Sequence, residues 1–402
     1  MLKWLGVKGG GKVVGFVSGT ASALWTFPSV IGSAMLIAWG AEAAQFLISQ
    51  GMALAIVAWL QTLPEFAVEA VISWDAGKDP AKTHLMIANL TGSLRLLVGL
   101  GWPMIYIAAT VFNRKNGNGP INEIPLEREH SVEVTGLCVP ILYFLFIWYK
   151  GTLEWYDSII LIVMYAAYLL ILNKIPPQSE EKIEDMEAIP RWILLQERTR
   201  RLIIIIGLFV GGGIILYFVA HPFLESMLAL AVSLGVSNFV FVQWVAPFLS
   251  EFPEKVSAFY WARKVTGAPM ALMNMVSSNI NQWTVLAAML PIVFCLSAGE
   301  VKPIVFDHHQ RLEILLTISQ SMLGMVLLSN MRFAWWEALV IFTLWGVQLV
   351  FSNADPPVAD LIKQIITGIY FAWTGVEVIA ALVRGRKFEA FEIFPQLMRE
   401  HW

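Results

Sequence analysis

Two short stretches set a glutamate directly after a proline inside long apolar runs: Pro64-Glu65 within LAIVAWLQTLPEFAVEAV (54–71) and Pro253-Glu254 within QWVAPFLSEFPEKVSAFY (243–260). An ionised carboxylate at membrane depth costs several kcal/mol unless something positive or hydrogen-bonding meets it, so each glutamate is a functional candidate by default. Proline has no N–H to give to the carbonyl four residues back. Pro64 therefore frees the carbonyl of Leu60 and Pro253 that of Leu249, each about one turn from its glutamate. Carboxylates and freed carbonyls are the oxygen ligands that hard cations such as Ca²⁺ and Na⁺ take. Gln61 and Thr62 in the first stretch, and Ser250 and Glu251 in the second, lie three and four residues before the glutamates, on the same helical face, and are the next candidate ligands. Glu69 lies one turn beyond Glu65, as a pathway residue or as an interfacial anchor.

The elements that must carry these residues are spans of a bilayer. Of the 402 residues, 57% are hydrophobic and 14% charged, too apolar for a water-facing globule. Runs of about 20 apolar residues cross a bilayer core, and the sequence predicts them at 29–48, 51–74, 85–112, 133–149, 153–173, 201–219, 223–250, 267–298, 312–329, 334–352 and 361–384. The stretch 13–27, followed by Pro28, is either a short extra span or the outer half of a long, bent first helix. Lys3 and Lys8 are separated by glycines from any compact apolar core with a small-residue cleavage site, so no cleaved signal peptide is expected.

The longest internal polar interval divides the spans into two groups of five. The expected organisation is a first repeat at 1–173, a linker at 174–200, a second repeat at 201–352, and an extra transmembrane helix with a tail at 353–402. Lys and Arg are more numerous on the loops that share a side with the linker, which puts the linker and the C-terminus in the cytoplasm. Two further segments have open readings: 191–201 as an interfacial helix or a solvated linker, and 386–402 as an interfacial helix or a frayed tail. The fold class is therefore all-α: a polytopic membrane protein of two five-helix repeats plus at least one C-terminal transmembrane helix.

The two Pro-Glu stretches are themselves a repeat. Each is followed by a long span opening on small and polar residues, IANLTGSLRLLVGLGWP from Ile87 and MNMVSSNINQWTVLAAMLP from Met273. Five spans separate equivalent elements, and an odd number means that the halves are inverted. Inversion brings the two proline-broken helices together near the midplane, around one pseudo-twofold cation site.

At these residues the sequence resembles the cation/calcium exchanger superfamily, whose repeats each carry a G-T-S-x-P-E-like helix and then a G-N-x-x-G-S-N-like helix. TLPEF (62–66) and SEFPE (250–254) resemble the first element, and NLTGS from Asn89 and NMVSSN from Asn274 resemble the second. The resemblance spans both repeats. It implies that Glu65 and Glu254 are the central Ca²⁺ ligands, that Thr62 and Ser250 are hydroxyl ligands, and that Ser93 and Ser278 line the path, with Asn89 and Asn274 in the same motif. The departures are Gln61-Thr62 and Ser250-Glu251 for the family's Thr-Ser pair, which adds a carboxylate. The family's mid-membrane Asn or Asp is Leu97 in one half and Gln282 in the other. Arg95, two residues after Ser93, needs an acidic partner at that depth. It either pairs with a site glutamate, substituting for a coupling cation, or snorkels or pairs structurally away from the site.

The expected function is a secondary antiporter exchanging Ca²⁺ for Na⁺ or H⁺ by alternating access, integral to the cell membrane. The alternatives are an exchanger altered by Arg95 and a transporter-derived protein without exchange. A channel would need rings of charge around a continuous pore, and an enzyme would need a nucleophile with a base, or clustered metal ligands, near one face. The duplicated single-chain site favours the antiporter over a channel, and no enzyme constellation is found in the sequence. Basic residues sit in loops rather than in one patch, so small inorganic cations and the bilayer are the expected partners, with no nucleic acid and no cofactor. Cys138 and Cys295 fall inside apolar spans as packing residues. Among the histidines, only His221, before Pro222, is placed to relay protons.

Overall fold

The computed structural model describes residues 10–44, 62–175, 183, 186–383 and 388–402, with backbone alone at 10–20, 41 and 253. The first half holds α1 (Gly10–Ala44), α2 (Leu63–Lys78), α3 (Thr83–Leu96), α4 (Trp102–Lys115), α5 (Ser131–Lys150) and α6 (Trp155–Lys174). A short helix, α7 (Ala188–Leu194), leads to the second half: α8 (Arg198–Leu234), α9 (Asn238–Ser250), α10 (Phe252–Ala262), α11 (Ala268–Asn281), α12 (Ala287–Ala298), α13 (His308–Leu328) and α14 (Trp335–Phe351). Beyond the repeats lie α15 (Pro356–Val383) and α16 (Glu389–His401). Eight helices among the described residues are long and apolar enough to cross a membrane, and α9 and α14 are shorter apolar helices. Their outward faces carry exposed Leu142, Phe146, Val163, Ile203, Phe218 and Leu361, as lipid-facing surfaces require.

Four short strands establish the inversion. β1 (Glu123–Pro125) pairs with β4 (Arg332–Ala334), and β2 (Thr152–Leu153) pairs with β3 (Ile304–Val305). Helix α5 starts beside β1 and ends at β2, while its repeat equivalent α13 starts beside β3 and ends at β4. The two helices therefore run between the same two ribbons in opposite directions, and they pack on each other. The halves share a second device: a single π-helical turn joins α3 to α4 at Leu97–Gly101 and α11 to α12 at Gln282–Leu286. Such turns inside α-helices are rare, and they concentrate at functional sites.

Several boundaries differ from the sequence expectation. Of the two readings of residues 13–27, the long first helix holds, because α1 runs unbroken through Pro28 for 35 residues. The expected break between 201–219 and 223–250 is also absent. Helix α8 continues through Pro222 for 37 residues and stops at Gly235, whose left-handed φ of 68° caps it, and Ser237 then N-caps α9 through Val240 N–H. At about 1.5 Å per residue both helices exceed 50 Å, longer than the roughly 30 Å hydrocarbon core, and they pack against each other along their length. Pro28, left open in the sequence reading, and Pro222, in the expected gap between 201–219 and 223–250, each lie inside a helix that its partner supports. His221 consequently lies mid-helix, exposed and with Glu225 at 3.7 Å. Of the segment 191–201, read as an interfacial helix or a solvated linker, residues 191–194 end the short helix Ala188–Leu194, and Arg198 already opens α8. The C-terminal segment is helical, and Arg128, which pairs with Glu400 at 2.6 Å, holds the Glu400 carboxyl below the usual range.

A buried ionic network joins α15 to the repeats. Arg95 Nη2 meets Glu313 Oε2 at 2.5 Å, Nη1 donates to Gln348 Oε1 at 3.2 Å, and the guanidinium lies 5.1 Å from the Trp244 ring centroid. Glu313 also accepts from Gln243 Nε2 at 2.9 Å and meets Lys363 of α15 at 2.7 Å. Arg95 thus pairs with Glu313 on α13 and not with a Pro-Glu glutamate, so of its two readings the structural one holds and the coupling one is corrected. The reason is directional: Arg95 lies two residues after Ser93, and that displacement on a helix turns it toward α9, α13 and α14.

Close backbone approach sets the fit of α3 on α9. A Cβ added at Gly92 would overlap the Gln243 carbonyl. Gly92→Ala is therefore expected to lower the melting temperature of the purified protein by several degrees, equivalent to about 2 kcal/mol. Gly207→Ala, whose Cβ meets nothing within 4 Å, should leave it unchanged. Arg95→Leu should cost about 3 kcal/mol, and Glu313→Gln more, because it strands two buried cations against each other. A Glu313→Gln protein that melts above Arg95→Leu would contradict this ordering.

Candidate cation site

Both Pro-Glu motifs sit at helix starts. Pro64 and Pro253 lie in the first turns of α2 and α10, where a missing N–H costs nothing because the first N–H groups of a helix have no internal acceptor. In the second half α9 ends at Ser250, Glu251 forms the junction, and α10 starts at Phe252. The expected kink in a continuous helix is therefore a break between two helices. Glu65 and Glu254 fall in first turns, where the positive end of the helix dipole favours a carboxylate. Leu60 and Gln61 lie outside the described residues.

Helices α2, α3, α10 and α11 bring their polar side chains to one buried cluster. Glu65, Glu251, Glu254, Thr62, Ser93, Ser250, Ser278 and Gln282 are all buried. Ser93 Oγ lies between Glu65 Oε1 and Glu251 Oε1, in hydrogen-bond contact with both. Gln282 Nε2 bridges the same two carboxylates, donating to Glu65 Oε2 at 2.9 Å and to Glu251 Oε1 at 3.0 Å. The directly bridged acids are thus Glu65 and Glu251, one from each half, with Glu254 beside Ser278. Asn281 Nδ2 donates to Thr62 Oγ1 at 2.7 Å, and Asn279 Nδ2 donates to the carbonyl of Leu94 at 3.2 Å.

Other candidates lie at the edge of the cluster. Ser250 Oγ donates back to the carbonyls of Ala246 and Pro247, at 3.0 and 3.3 Å. Leu249 is buried one residue before it, at the end of α9. Asn89 donates to Glu69 rather than to the central carboxylates, so these two form a separate buried pair one turn away. Asn274 is half-buried with its Nδ2 unpartnered, outside the central contacts.

Sequence reasoning missed three members. Lys255, next to Glu254, forms an ion pair with Glu251 Oε2, and the two side chains are only 5% and 1% exposed. Its signal was the i, i+4 spacing of Glu251 and Lys255 on one helical face. Asn279 and Asn281 stand in the same SSNINQ run as Ser278 and Gln282 and were passed over.

Several buried oxygens of the cluster accept no hydrogen bond: Glu254 Oε1, Gln282 Oε1, Asn279 Oδ1 and Asn281 Oδ1. Buried acceptors left unmatched are uncommon, and a hard cation satisfies them. Among the described residues no three His, Cys, Asp or Glu side chains gather tightly enough to hold a metal ion. The acids instead form a hydrogen-bonded, ion-paired cluster in which amides, hydroxyls and one ammonium stand between the carboxylates.

Comparison with known proteins agrees with this architecture. The family model described as sodium/calcium exchanger protein matches residues 14–173 and 204–353. Among solved structures, an H⁺/Ca²⁺ exchanger, CAX, is 29% identical over 95% of this chain and 92% of its own, with a TM-score of 0.84. YfkE, 16% identical over 85% of this chain and 95% of its own, has a TM-score of 0.56. A sodium-calcium exchanger, NCX_Mj, is 17% identical over 83% of this chain and 98% of its own at 0.53. These last two share the fold. Comparison with curated protein sequences returns no match. With both repeats matched by one family model and the two-repeat exchanger architecture in place, the chain belongs to the sodium/calcium exchanger protein family of multi-pass secondary transporters.

Proposed function

We propose that this chain exchanges Ca²⁺ for H⁺ across the cell membrane, by alternating access to the cluster of Glu65, Glu251 and Glu254. The observation that carries the reading is the bridge between halves: Ser93 and Gln282 tie Glu65 to Glu251 while oxygens of Glu254, Gln282, Asn279 and Asn281 stay unmatched. Carboxylates, hydroxyls and amides suit a hard divalent ion. The choice of H⁺ is supported by the likeness to the H⁺/Ca²⁺ exchanger and by Leu97, an apolar residue where the second half has Gln282.

Each residue has a place in this reading. Glu65 and Glu254 hold the ion, each at a helix start. Thr62, Ser93, Ser250, Ser278 and Gln282 supply neutral oxygens, with Gln61 and the carbonyls of Leu60 and Leu249 as further donors of electron pairs. Glu69 with Asn89 forms a step on the path, and Asn274 lines it. Arg95 takes a structural role through Glu313. Residues 1–173 and 201–352 act as the two repeats, 174–200 as the linker, and 353–402 as an added helix and tail. In each loaded state the ion or the protons neutralise the acids. The neutral site can then be exposed to either side, whereas an empty, charged one is held by its desolvation cost.

The test is ⁴⁵Ca²⁺ uptake into proteoliposomes under an imposed H⁺ or Na⁺ gradient. Uptake is expected to follow the H⁺ gradient and to fall by about 100-fold or more in Glu65→Gln and Glu254→Gln, since each removes a charged ligand from a desolvated site. Arg95→Leu should keep the same counter-ion. Uptake driven by Na⁺ alone would replace H⁺ as the counter-ion, and a wild-type protein that moves no Ca²⁺ under either gradient would defeat exchange altogether.

A further inference from the structure

The second half carries a charge pair that the first half lacks. The two motifs align on their Pro-Glu steps, so Glu251 occupies the place of Thr62, and Lys255 the place of Phe66. The halves therefore differ at both positions together: an added carboxylate comes with an added ammonium. Lys255 lies one turn from Glu251, both side chains are buried, and they form an ion pair. Glu251 has its two oxygens on different tasks. Oε1 meets Ser93 and Gln282 inside the cluster, and Oε2 meets the ammonium.

We propose that the Lys255 ammonium is a tethered occupant of a monovalent-cation subsite on Glu251, which spares the protein a freely bound monovalent ion beside its divalent cargo. The inference rests on the cation-site reading above and deepens it. A buried carboxylate without a partner is costly, so Glu251 needs a single positive charge in every state of the site. Lys255 supplies that charge on a four-carbon stem, as a compact point charge of one unit. With Glu251 and Lys255 cancelling each other, Glu65 and Glu254 leave two negative charges, the complement of one divalent ion. If the ammonium is removed, the subsite on Glu251 Oε2 should accept a free monovalent cation, which carries the same single charge.

The test needs no transport. Full-length protein purified in detergent, saturated with Ca²⁺ at fixed pH, is equilibrated with ²²Na⁺ in N-methylglucamine buffer. Wild type is expected to retain no Na⁺, Lys255→Met to retain one Na⁺ per chain, and Glu251→Gln/Lys255→Met to retain none, because both halves of the subsite are gone. A Lys255→Met protein that holds no more Na⁺ than wild type overturns the proposal, as does a double variant that still holds the extra ion. Where Lys255→Met is too unstable for binding measurements, thermal stability decides. Na⁺ or methylammonium should raise the melting temperature of Lys255→Ala and leave wild type unmoved, since an ion that binds only the folded state stabilises it by mass action. No rise in Lys255→Ala sinks the idea equally. A chain that binds no Ca²⁺ but gains Na⁺ on loss of Lys255 would remove the exchange reading and leave this one standing.

Discussion

The structure turns on the cost of keeping several carboxylates in a place with neither bulk water nor lipid headgroups. A lone ionised glutamate there is unfavourable by several kcal/mol, and Glu65, Glu251 and Glu254 are all buried together. Three different devices meet that cost. Helix starts at α2 and α10 present their positive dipole ends to Glu65 and Glu254. Ser93 and Gln282 donate to Glu65 and Glu251, and Lys255 neutralises Glu251 outright. Only the first of these needs a helix start, which the prolines favour in the first turns of α2 and α10.

The same constraint accounts for the second ionic centre. Glu313 is fully buried between Arg95 and Lys363, with Gln243 and Gln348 completing the shell. Its members come from α3, α9, α13, α14 and α15, so the network fastens the helix outside the repeats to both halves. Buried ion pairs contribute little net stability, yet breaking one side is costly, which makes such a centre a device for fixing helix arrangement. The two centres are near neighbours in sequence, Ser93 facing one and Arg95 the other. A shift of two residues on a helix changes the face, and with it the role.

Long elements follow from the same geometry. The pair α1 and α8 exceeds the bilayer thickness and packs together, while α2 and α10, which carry Glu65 and Glu254, are short. Polar backbone at membrane depth is tolerated where it is enclosed by protein, and the two π turns and the helix junction at Glu251 lie within the helical core.

Much of this was legible in the chain itself. Composition required a membrane protein, apolar run lengths required its spans, and the recurrence of Pro-Glu five spans apart required inverted halves, because periodicity and hydrophobicity are local properties. Glu65 and Glu251 were named from the Pro-Glu stretches, and Ser93 and Gln282 through the resemblance to the exchanger superfamily. Tertiary structure alone decided which acids touch: Glu65 is bridged to Glu251 and not to Glu254, Arg95 turns to Glu313, and Asn89 joins Glu69. It also decided that Pro28 and Pro222 lie within continuous helices, and that Lys255 belongs to the site. Partner choice at close quarters depends on rotation about each helix axis and on what the neighbouring helix presents, and neither is encoded in the spacing of residues along one segment.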